Sequence, residues 1–234
     1  MTQKGRIRFV VITIIVAAVI GVTALCIALS PEDTALDQMV AEYRAAKYQQ
    51  YEQENLQYAD YEVEVAFLGD SLTDGYDLAK YYPQYVTANR GIGGDTSYDL
   101  QARLQLSVYD LKPQVVVMLI GANNPTTVLN NYEDILKGFQ ENLPETKVVL
   151  LSMTAMGGDH WGRWNDEAQA NNVEIEKLAE KYDFTYVDLY TPLLDTATGE
   201  VREGYTVDGG HFTHEGYTVL TDTITPVLEE LLGK

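Results

Sequence analysis

The stretch VEVAFLGDSLTDG, residues 63–75, decides the fold class of this chain. Apolar side chains alternate with polar or small ones up to Phe67, which predicts a β-strand, and the strand breaks at Gly69 into a turn rich in Asp, Ser and Gly. Open α/β sheets bind their ligands at the carboxyl ends of strands, and Ser71 stands at that place. The stretch therefore predicts either an exposed functional hydroxyl or a loop whose serine caps a helix.

The same pattern of strand and then helix continues to the end of the chain. Residues 114–120, QVVVMLI, are almost continuously apolar, as expected for a central parallel strand that is covered on both faces. Other strands are predicted at residues 85–89, 147–152 and 184–189, and helices at residues 77–82, 98–109, 132–142, 165–182 and 213–232. This alternation predicts an α/β fold with a parallel sheet, helices on both faces and right-handed crossovers.

The N-terminus has the pattern of a membrane anchor. Residues 9–29 carry no charge and are long enough to cross a bilayer as a helix, which takes about 20 apolar residues. Lys4, Arg6 and Arg8 precede this run, so the positive-inside rule predicts a cytoplasmic N-terminus and a domain outside the cell membrane. A cleaved signal peptide, which would leave the protein secreted, is the alternative. Cys26 is the single cysteine and lies within the run, so no intrachain disulfide is expected.

Three segments follow from these patterns. Residues 1–30 are predicted to form the cytoplasmic tip and the transmembrane signal anchor, residues 31–60 a helix, and residues 61–234 a single α/β domain. The helix carries several tyrosines, among them Tyr48 and Tyr51. It is either a stalk with an aromatic surface or a helix that packs on the domain through half-buried tyrosines, and we favour packing.

The composition narrows the class of partner. The 234 residues carry a formal net charge of -19, and 46% of them are hydrophobic, as is usual for a globular domain. Nucleic-acid binding requires a basic face, so the charge argues against a nucleic-acid partner. The charge also disfavours close contact with anionic lipid beyond the anchor.

Polar, glycine-rich signals follow the predicted strand ends, and together they supply one set of groups for acyl transfer to water. They are Ser71, Gly94, Asn123 and the pair Asp208 and His211. Because the carboxyl ends of parallel strands share one edge of a sheet, we expect these groups to meet. Ser71 is the candidate nucleophile, His211 the base and Asp208 the group that orients the imidazole. The backbone N–H groups of Ser71 and Gly94, together with the Asn123 amide, would face the developing oxyanion.

Members of this set also have purely structural explanations. The glycines of residues 91–94 suit a loop with positive φ, Asn123 suits an Asx-turn, and residues 208–210 suit a simple turn. The glycines also match the start of a dinucleotide-binding fingerprint, but Thr96 stands where the third Gly or Ala belongs.

Two further histidines compete for functional roles. His214 is a rival base, but it falls where the last helix begins and is expected to be exposed. His160 has no second metal ligand at usable spacing, so residues 159–164 are interpreted as a mobile substrate-side loop or a surface loop. The α/β-hydrolase elbow is absent, because residues 69–73 lack the closing glycine.

Four sequence blocks, in order, resemble the signature of the SGNH (GDSL-type) hydrolases. They are FLGDSLT at residues 67–73, NRGIGGD at 89–95, GANN at 121–124 and DGGHF at 208–212. The resemblance implies a flavodoxin-like, three-layer α/β/α fold and no metal or organic cofactor. It implies that Ser71 is the nucleophile and that Gly94 and Asn123 are oxyanion donors. It also implies that Asp208 and His211 complete the triad.

The third block departs from the family pattern at one position. An Asp commonly follows the Asn of this block, and here Asn124 stands in its place. The amide of Asn123 is retained, so the resemblance still implies activity. The sequence does not determine how Asn124 changes the charge and the hydrogen bonding of this loop.

These observations predict a membrane-anchored, extracytoplasmic serine esterase that acts on O-acyl esters. Within that class a small acyl group such as acetate on a glycan is the preferred substrate, because the domain faces outward and Trp161 and Trp164 suit stacking on sugar. A lipid acyl-ester hydrolase or thioesterase of the same fold is the alternative enzyme. A non-catalytic binding module is the alternative outside enzymes, because a fold alone does not establish a function.

Overall fold

The computed structural model describes residues 31–234, with side chains from residue 35 onward. The anchor predicted at residues 9–29 lies outside the described residues. Within residues 31–234, no helix is both long and apolar enough to span a membrane. The chain divides into two units, residues 1–47 and residues 48–234.

Helix α1, Pro31–Asn55, begins in the first unit and ends in the second. Its bounds agree with the predicted helix except at the carboxyl end, which lies a few residues earlier. In the first unit the helix is largely solvent-exposed, and its large apolar side chains are open to water at Leu36, Met39 and Val40.

The second unit is built on a five-stranded parallel sheet with the order β2-β1-β3-β4-β5. The strands are β1 (Val65–Gly69), β2 (Thr87–Gly91), β3 (Val115–Leu119), β4 (Lys147–Leu151) and β5 (Thr185–Val187). Every residue of β1 and β3 is buried, as the apolar runs in the sequence predict for central strands. A short antiparallel hairpin, β6 (Leu194–Asp195) and β7 (Glu200–Val201), lies outside the main sheet.

Helices cover both faces of the sheet, so the fold is a three-layer α/β/α sandwich. They are α2 (Ser71–Asp74), α3 (Leu78–Tyr81), α4 (Ser97–Ala102), α5 (Leu129–Asn142), α6 (Gly158–Trp161), α7 (Asn165–Tyr182), α8 (Tyr190–Leu193) and α9 (His214–Leu232). A π-helical turn, Gln105–Tyr109, follows α4, and a 3₁₀ turn, Gly162–Trp164, precedes α7. The predicted parallel α/β architecture is therefore confirmed in the described part of the chain.

Several predicted elements differ in their bounds, and the strand predicted at residues 184–189 is limited to Thr185–Val187. Two other differences have a clear physical cause. Strand β2 begins two residues later than expected because the N–H of Tyr85 bonds to the carbonyl oxygen of Tyr82 at 3.1 Å, in a turn rather than in the ladder. The helix expected at residues 98–109 divides into α4 and the π-helical turn, with Arg103 in the interval between them. That interval matters because the side chain of Arg103 is directed into the protein interior.

The end of α1 packs against β2 through Tyr51, which is fully buried. Its hydroxyl donates to the carbonyl oxygen of Gly91 at 2.7 Å, and the guanidinium of Arg90 lies 4.5 Å from its ring centroid. Arg90, also fully buried, pairs with Glu54 and donates to Oδ1 of Asn55 at 3.0 Å. This end of the helix is therefore part of the domain, as the packing interpretation of the tyrosines expects.

We expect Tyr51→Ala to lower the free energy of unfolding by about 3–5 kcal/mol, because it removes a large buried side chain. Tyr51→Phe should cost roughly 1 kcal/mol, since only the hydrogen bond to Gly91 is lost. Urea unfolding monitored by circular dichroism measures both values. The exposed Gln49→Ala is the control and should change stability by less than about 0.5 kcal/mol. Equal losses in Tyr51→Ala and Gln49→Ala would show that this helix end is not packed.

Candidate active site

Ser71 begins α2 directly after β1, so a buried central strand fixes its backbone. Asp70 caps this short helix, because its Oδ1 accepts a hydrogen bond from the N–H of Leu72 at 3.0 Å. Gly69 makes the tight turn possible, since a Cβ there would lie 2.3 Å from the carbonyl oxygen of Leu119. Strand, turn and cap together hold the Ser71 hydroxyl at the carboxyl edge of the sheet.

A continuous hydrogen-bonded chain links Ser71, His211 and Asp208. The Oγ of Ser71 lies 3.1 Å from Nε2 of His211, and Nδ1 of His211 lies 2.8 Å from Oδ2 of Asp208. The second carboxylate oxygen of Asp208 accepts the N–H groups of Gly210 at 3.0 Å and of His211 at 2.8 Å. One short loop therefore presents both side chains to a serine that lies 140 residues earlier in the chain.

These hydrogen bonds also determine the protonation state of Asp208. Partial burial raises its pKa, but the backbone and ring N–H bonds from His211 and the N–H of Gly210 outweigh that effect and hold the pKa well below its usual range. Asp208 is thus an ionised acceptor. An ionised acceptor at Nδ1 favours the tautomer that carries its proton there, which leaves the Nε2 lone pair directed at the Ser71 hydroxyl.

The loop that carries Asp208 and His211 is braced by the segment after β4. The N–H of Gly157 donates to the carbonyl oxygen of Gly209 at 2.8 Å. Trp161 packs edge-on against the His211 ring, with centroids 5.6 Å apart and planes at 88°. Gly210 permits this contact, because a Cβ there would lie within 2.8 Å of the Trp161 indole. Residues 159–164, which were predicted to form a loop, are helical instead, in α6 and the 3₁₀ turn, and Trp161 of this segment forms one wall of the site.

Gly94 and Asn123 follow the two strands on either side of β1. Gly94 comes after β2 with a φ of +80°, a conformation that favours glycine, and open space lies where its Cβ would be. Asn123 comes after β3, and its side-chain amide donates to the carbonyl oxygen of Asp95 at 3.0 Å. An Asn amide has two N–H donors, so this bond orients the group and leaves a second donor for a ligand. In the strand order, the strands that precede these two residues, β2 and β3, lie on either side of β1, the strand that precedes Ser71.

Asn124 has a clear hydrogen-bonding role. Its Oδ1 accepts the N–H of Ser97 at 3.1 Å, and its Nδ2 donates to the Ser97 Oγ at 3.0 Å. The Ser97 hydroxyl donates its single proton to Oδ1 of Asn131 at 2.6 Å, so it requires a donor from Asn124. An aspartate has no proton to donate at neutral pH, and therefore the amide suits this neighbourhood.

The two competing histidines lie away from the hydrogen-bonded chain. His214 is exposed at the start of α9, and its Nδ1 lies 2.5 Å from the Tyr81 hydroxyl. His160 is exposed on α6, with its ring edge-on to Trp161. Within the described range, no group of three or more His, Cys, Asp or Glu side chains could hold a metal ion.

A buried arginine, which the sequence analysis did not identify, connects the parts of this edge. Arg103 is almost fully buried, and its Nε donates to Oδ2 of Asp95 at 2.7 Å. Its terminal nitrogens donate to the carbonyl oxygens of Gly69 at 2.9 Å and of Arg90 at 3.0 Å. The guanidinium therefore ties the ends of β1 and β2 to the loop that positions Asn123. The one signal in the sequence that could have identified Arg103 as buried is the position of this charged residue within the apolar pattern of a helix.

Asp70 is a second buried charge-bearing group that the sequence analysis missed. Its Oδ2 has no hydrogen-bond partner among residues 31–234, and the side chain is 1% exposed. Burial raises the pKa of Asp70 to about 7, against the opposing effect of the Leu72 N–H. The carboxyl reaches a small space that we call the inner cavity, of about 10 Å³. Its lining residues are Asp70, Leu72, Leu119, Ile120, Ala122, Met153, Thr154 and Met156.

A second space, which we call the outer cavity, lies at the hydrogen bond between Ser71 and His211 and also measures about 10 Å³. Its lining residues are Ser71, Leu72, Ala122, Thr154, Met156, Trp161, Gly210 and His211. A cavity of this size holds about one water-sized group. The Ser71 hydroxyl therefore borders a small and mostly apolar space.

The sequence matches the profile of the GDSL-like lipase/acylhydrolase family over residues 67–219. The match spans the four sequence blocks as far as α9. No curated protein sequence matches the chain.

Solved structures share the fold. A Streptococcus pneumonia protein provisionally named a platelet activating factor superposes with a TM-score of 0.75 at 25% identity, covering 83% of this chain and 97% of its own. A GDSL-like lipase from Bacteroides thetaiotaomicron has a TM-score of 0.70 at 27% identity, covering 78% of this chain and 97% of its own. An acetyl xylan esterase from Geobacillus stearothermophilus has a TM-score of 0.60 at 20% identity, with coverages of 72% and 95%, and shows the fold alone.

We expect Asp70→Asn to change how stability depends on pH. The folded pKa of about 7 lies above the usual value of 3.8, so the Asp70 contribution is fully present below about pH 4 and is lost as the pH rises through 7. The unfolding free energy of Asp70→Asn, relative to the unmodified protein, should therefore increase from pH 4.5 to pH 8. Urea unfolding across that range measures it. Parallel curves for the two proteins would contradict the raised pKa.

We expect Arg103→Met to lower the free energy of unfolding by about 3–5 kcal/mol, because the buried carboxylate of Asp95 loses its ion pair with Arg103. Combining it with Asp95→Asn should cost less than the sum of the two single changes, since the unpaired charge is removed. Urea unfolding of the four proteins gives the coupling. Arg163→Met, which removes an exposed guanidinium over Trp164, is the control and should cost less than about 1 kcal/mol. Strict additivity would show that the pair does not act as a brace.

Proposed function

Because the chain belongs to the GDSL-like lipase/acylhydrolase family, we propose that it is a serine esterase that removes short O-acyl groups through an acyl-enzyme on Ser71. The family establishes a hydrolase that acts on ester bonds. The observation that carries the finer proposal is the unbroken chain from the Ser71 hydroxyl through His211 to the ionised Asp208, with Ser71–His211 and His211–Asp208 distances of 3.1 and 2.8 Å.

The geometry supports a mechanism in two stages. His211 Nε2 takes the proton of Ser71 as Oγ attacks the ester carbonyl, and it returns that proton to the departing alcohol. Water then attacks the carbonyl carbon of the acyl-enzyme while His211 takes a proton from the water. That proton passes to Ser71 Oγ as the bond between Oγ and the acyl carbon breaks and the carboxylic acid leaves. Asp208 stabilises the imidazolium in both stages. The N–H groups of Ser71 and Gly94 and the free donor of Asn123 stabilise the oxyanion, whose charge appears only as the tetrahedral intermediate forms.

The size of the outer cavity supports a short acyl group. An ester carbon bonded to Oγ has two remaining substituents besides its oxyanion, the acyl chain and the alcohol. An enclosed space for about one water-sized group accepts the methyl of an acetyl group and excludes a bulky alcohol. The acyl chain is therefore assigned to the outer cavity and the alcohol to the open side of the site.

The open side favours a polar alcohol such as a sugar. A groove of about 420 Å³ extends from Asp208 and Gly209 along the hairpin β6–β7. Its lining includes the polar residues Thr198, Glu200, Arg202 and Thr206 beside Val201 and Val207. Hydroxyl-rich ligands find hydrogen-bond partners on such a surface, whereas a lipid tail does not. A glycan ester outside the cell also fits the anchor that residues 9–29 predict.

Hydrolysis of p-nitrophenyl acetate and p-nitrophenyl octanoate by the purified full chain tests the proposal. We expect acetate to be preferred, with turnover lost in Ser71→Ala and lowered by roughly 10⁴-fold or more in His211→Ala. His214→Ala is the matched control and should keep the unmodified rate, because His214 is exposed and bonds to Tyr81.

Each other outcome identifies a different error. A loss of turnover in His214→Ala but not in His211→Ala would mean that the base is wrongly assigned. A preference for octanoate that depends on Ser71 would indicate a lipid acyl-ester hydrolase. Absence of turnover, together with failure of a fluorophosphonate to label Ser71 in folded protein, would indicate a binding module.

A further inference from the structure

The inner cavity and the outer cavity share four of their walls. Each measures about 10 Å³. Ser71, Trp161, Gly210 and His211 line only the outer cavity, and Asp70, Leu119, Ile120 and Met153 line only the inner one. The walls common to both are Leu72, Ala122, Thr154 and Met156. The mechanism uses the outer cavity alone, so the inner cavity has no role in the chemistry described above.

Met156 is the shared wall whose side chain can be shortened with the least effect on the backbone. The methionine is 2% exposed, and its thioether chain is long and unbranched. Its N–H donates to Oδ1 of Asn165 at 2.9 Å, and its carbonyl oxygen accepts Nδ2 of Asn165 at 2.8 Å and the N–H of Val201 at 3.1 Å. These three bonds hold the backbone of the segment after β4 in place whatever side chain residue 156 carries.

The other shared walls are less suited to separate the cavities. Ala122 has a single side-chain carbon, and Thr154 only a short branched one. Leu72 lies on α2 next to the nucleophile, and its N–H is bound by Asp70. Met156 is therefore the long shared side chain that lies outside the helix carrying Ser71, so it can be shortened without changing α2.

We propose that Met156 sets the acyl-length limit of this esterase by closing the inner cavity to the acyl chain bound at Ser71. The inference rests on the proposed function, because it concerns the acyl group of the same site. Shortening Met156 to alanine removes Cγ, Sδ and Cε, three heavy atoms. A butyryl chain is two carbons longer than an acetyl chain, so the freed space is sufficient for it.

The inner cavity suits an unbranched aliphatic extension. Its lining is apolar except for Thr154 and the carboxyl of Asp70. Burying two methylene groups at about 0.8 kcal/mol each corresponds to roughly a 15-fold gain in the specificity constant for butyrate relative to acetate. In the unmodified protein that gain is absent, because the thioether occupies the path of the chain.

The test compares kcat/KM for p-nitrophenyl acetate and p-nitrophenyl butyrate in the full chain and in Met156→Ala. We expect the butyrate-to-acetate ratio to rise by roughly 10-fold or more in the variant. Met153→Ala is the matched control, because Met153 is equally buried but lines only the inner cavity. Its ratio should stay within about 2-fold of the unmodified protein, since Met156 still closes the path. Met156→Leu conserves most of the volume and should also keep the original ratio.

The outcomes separate this inference from the proposed function. If the unmodified chain shows no acetate turnover and no fluorophosphonate label at Ser71, the proposed function is wrong. If the unmodified chain is active and folded Met156→Ala keeps the original ratio, only the role of Met156 is overturned. An equal rise in Met153→Ala would also overturn it, because general loosening would then explain the change. If Met156→Ala does not fold, Met156→Val replaces it, because valine lacks the positions of Sδ and Cε. The same outcomes then support or overturn the proposal.

Discussion

The buried guanidinium of Arg103 is the interaction on which the candidate site depends. It donates to the carbonyl oxygens that end β1 and β2 and to the carboxylate of Asp95, whose own carbonyl oxygen holds Asn123. A planar group with several fixed donors can bind two strand ends and one loop carboxylate at once, which a lysine ammonium cannot do with the same geometry. The turn that carries Ser71 and the loop that carries Asn123 therefore share one rigid support.

The site joins two halves that are stabilised in different ways. Ser71 stands on a turn fixed by a buried central strand, so its position depends on the core of the sheet. Asp208 and His211 stand on a partly exposed loop, with side chains 45% and 42% exposed, and local hydrogen bonds hold their geometry instead. Trp161 and the bond from Gly157 to Gly209 join that loop to the segment after β4. The hydrogen bond between Ser71 and His211 is where the two halves meet.

The two aspartates near Ser71, Asp70 and Asp208, have pKa values that are shifted in opposite directions. Asp208 accepts several N–H groups and stays ionised, as a partner for an imidazolium must. Asp70, one residue before the nucleophile, is desolvated, and its pKa rises to about 7. Below that pH the carboxyl is neutral, which suits its apolar surroundings. The sharp difference between two aspartates of one site follows from burial and hydrogen-bond donors alone.

The sequence by itself determined the parallel α/β sheet and the residues at its edge. The periodicity of strands and helices and the residue types of turns are local signals, and those that place Ser71, Gly94 and Asn123 after strands lie within a few residues of each. It did not reveal the division of the helix at residues 98–109 or the inward direction of Arg103, since both depend on carbonyl groups of distant strands. The pKa of Asp70, the Trp161 wall and the two small cavities were likewise decided only by tertiary structure. Burial and enclosure are properties of side chains that are far apart in the chain, and no local pattern encodes them.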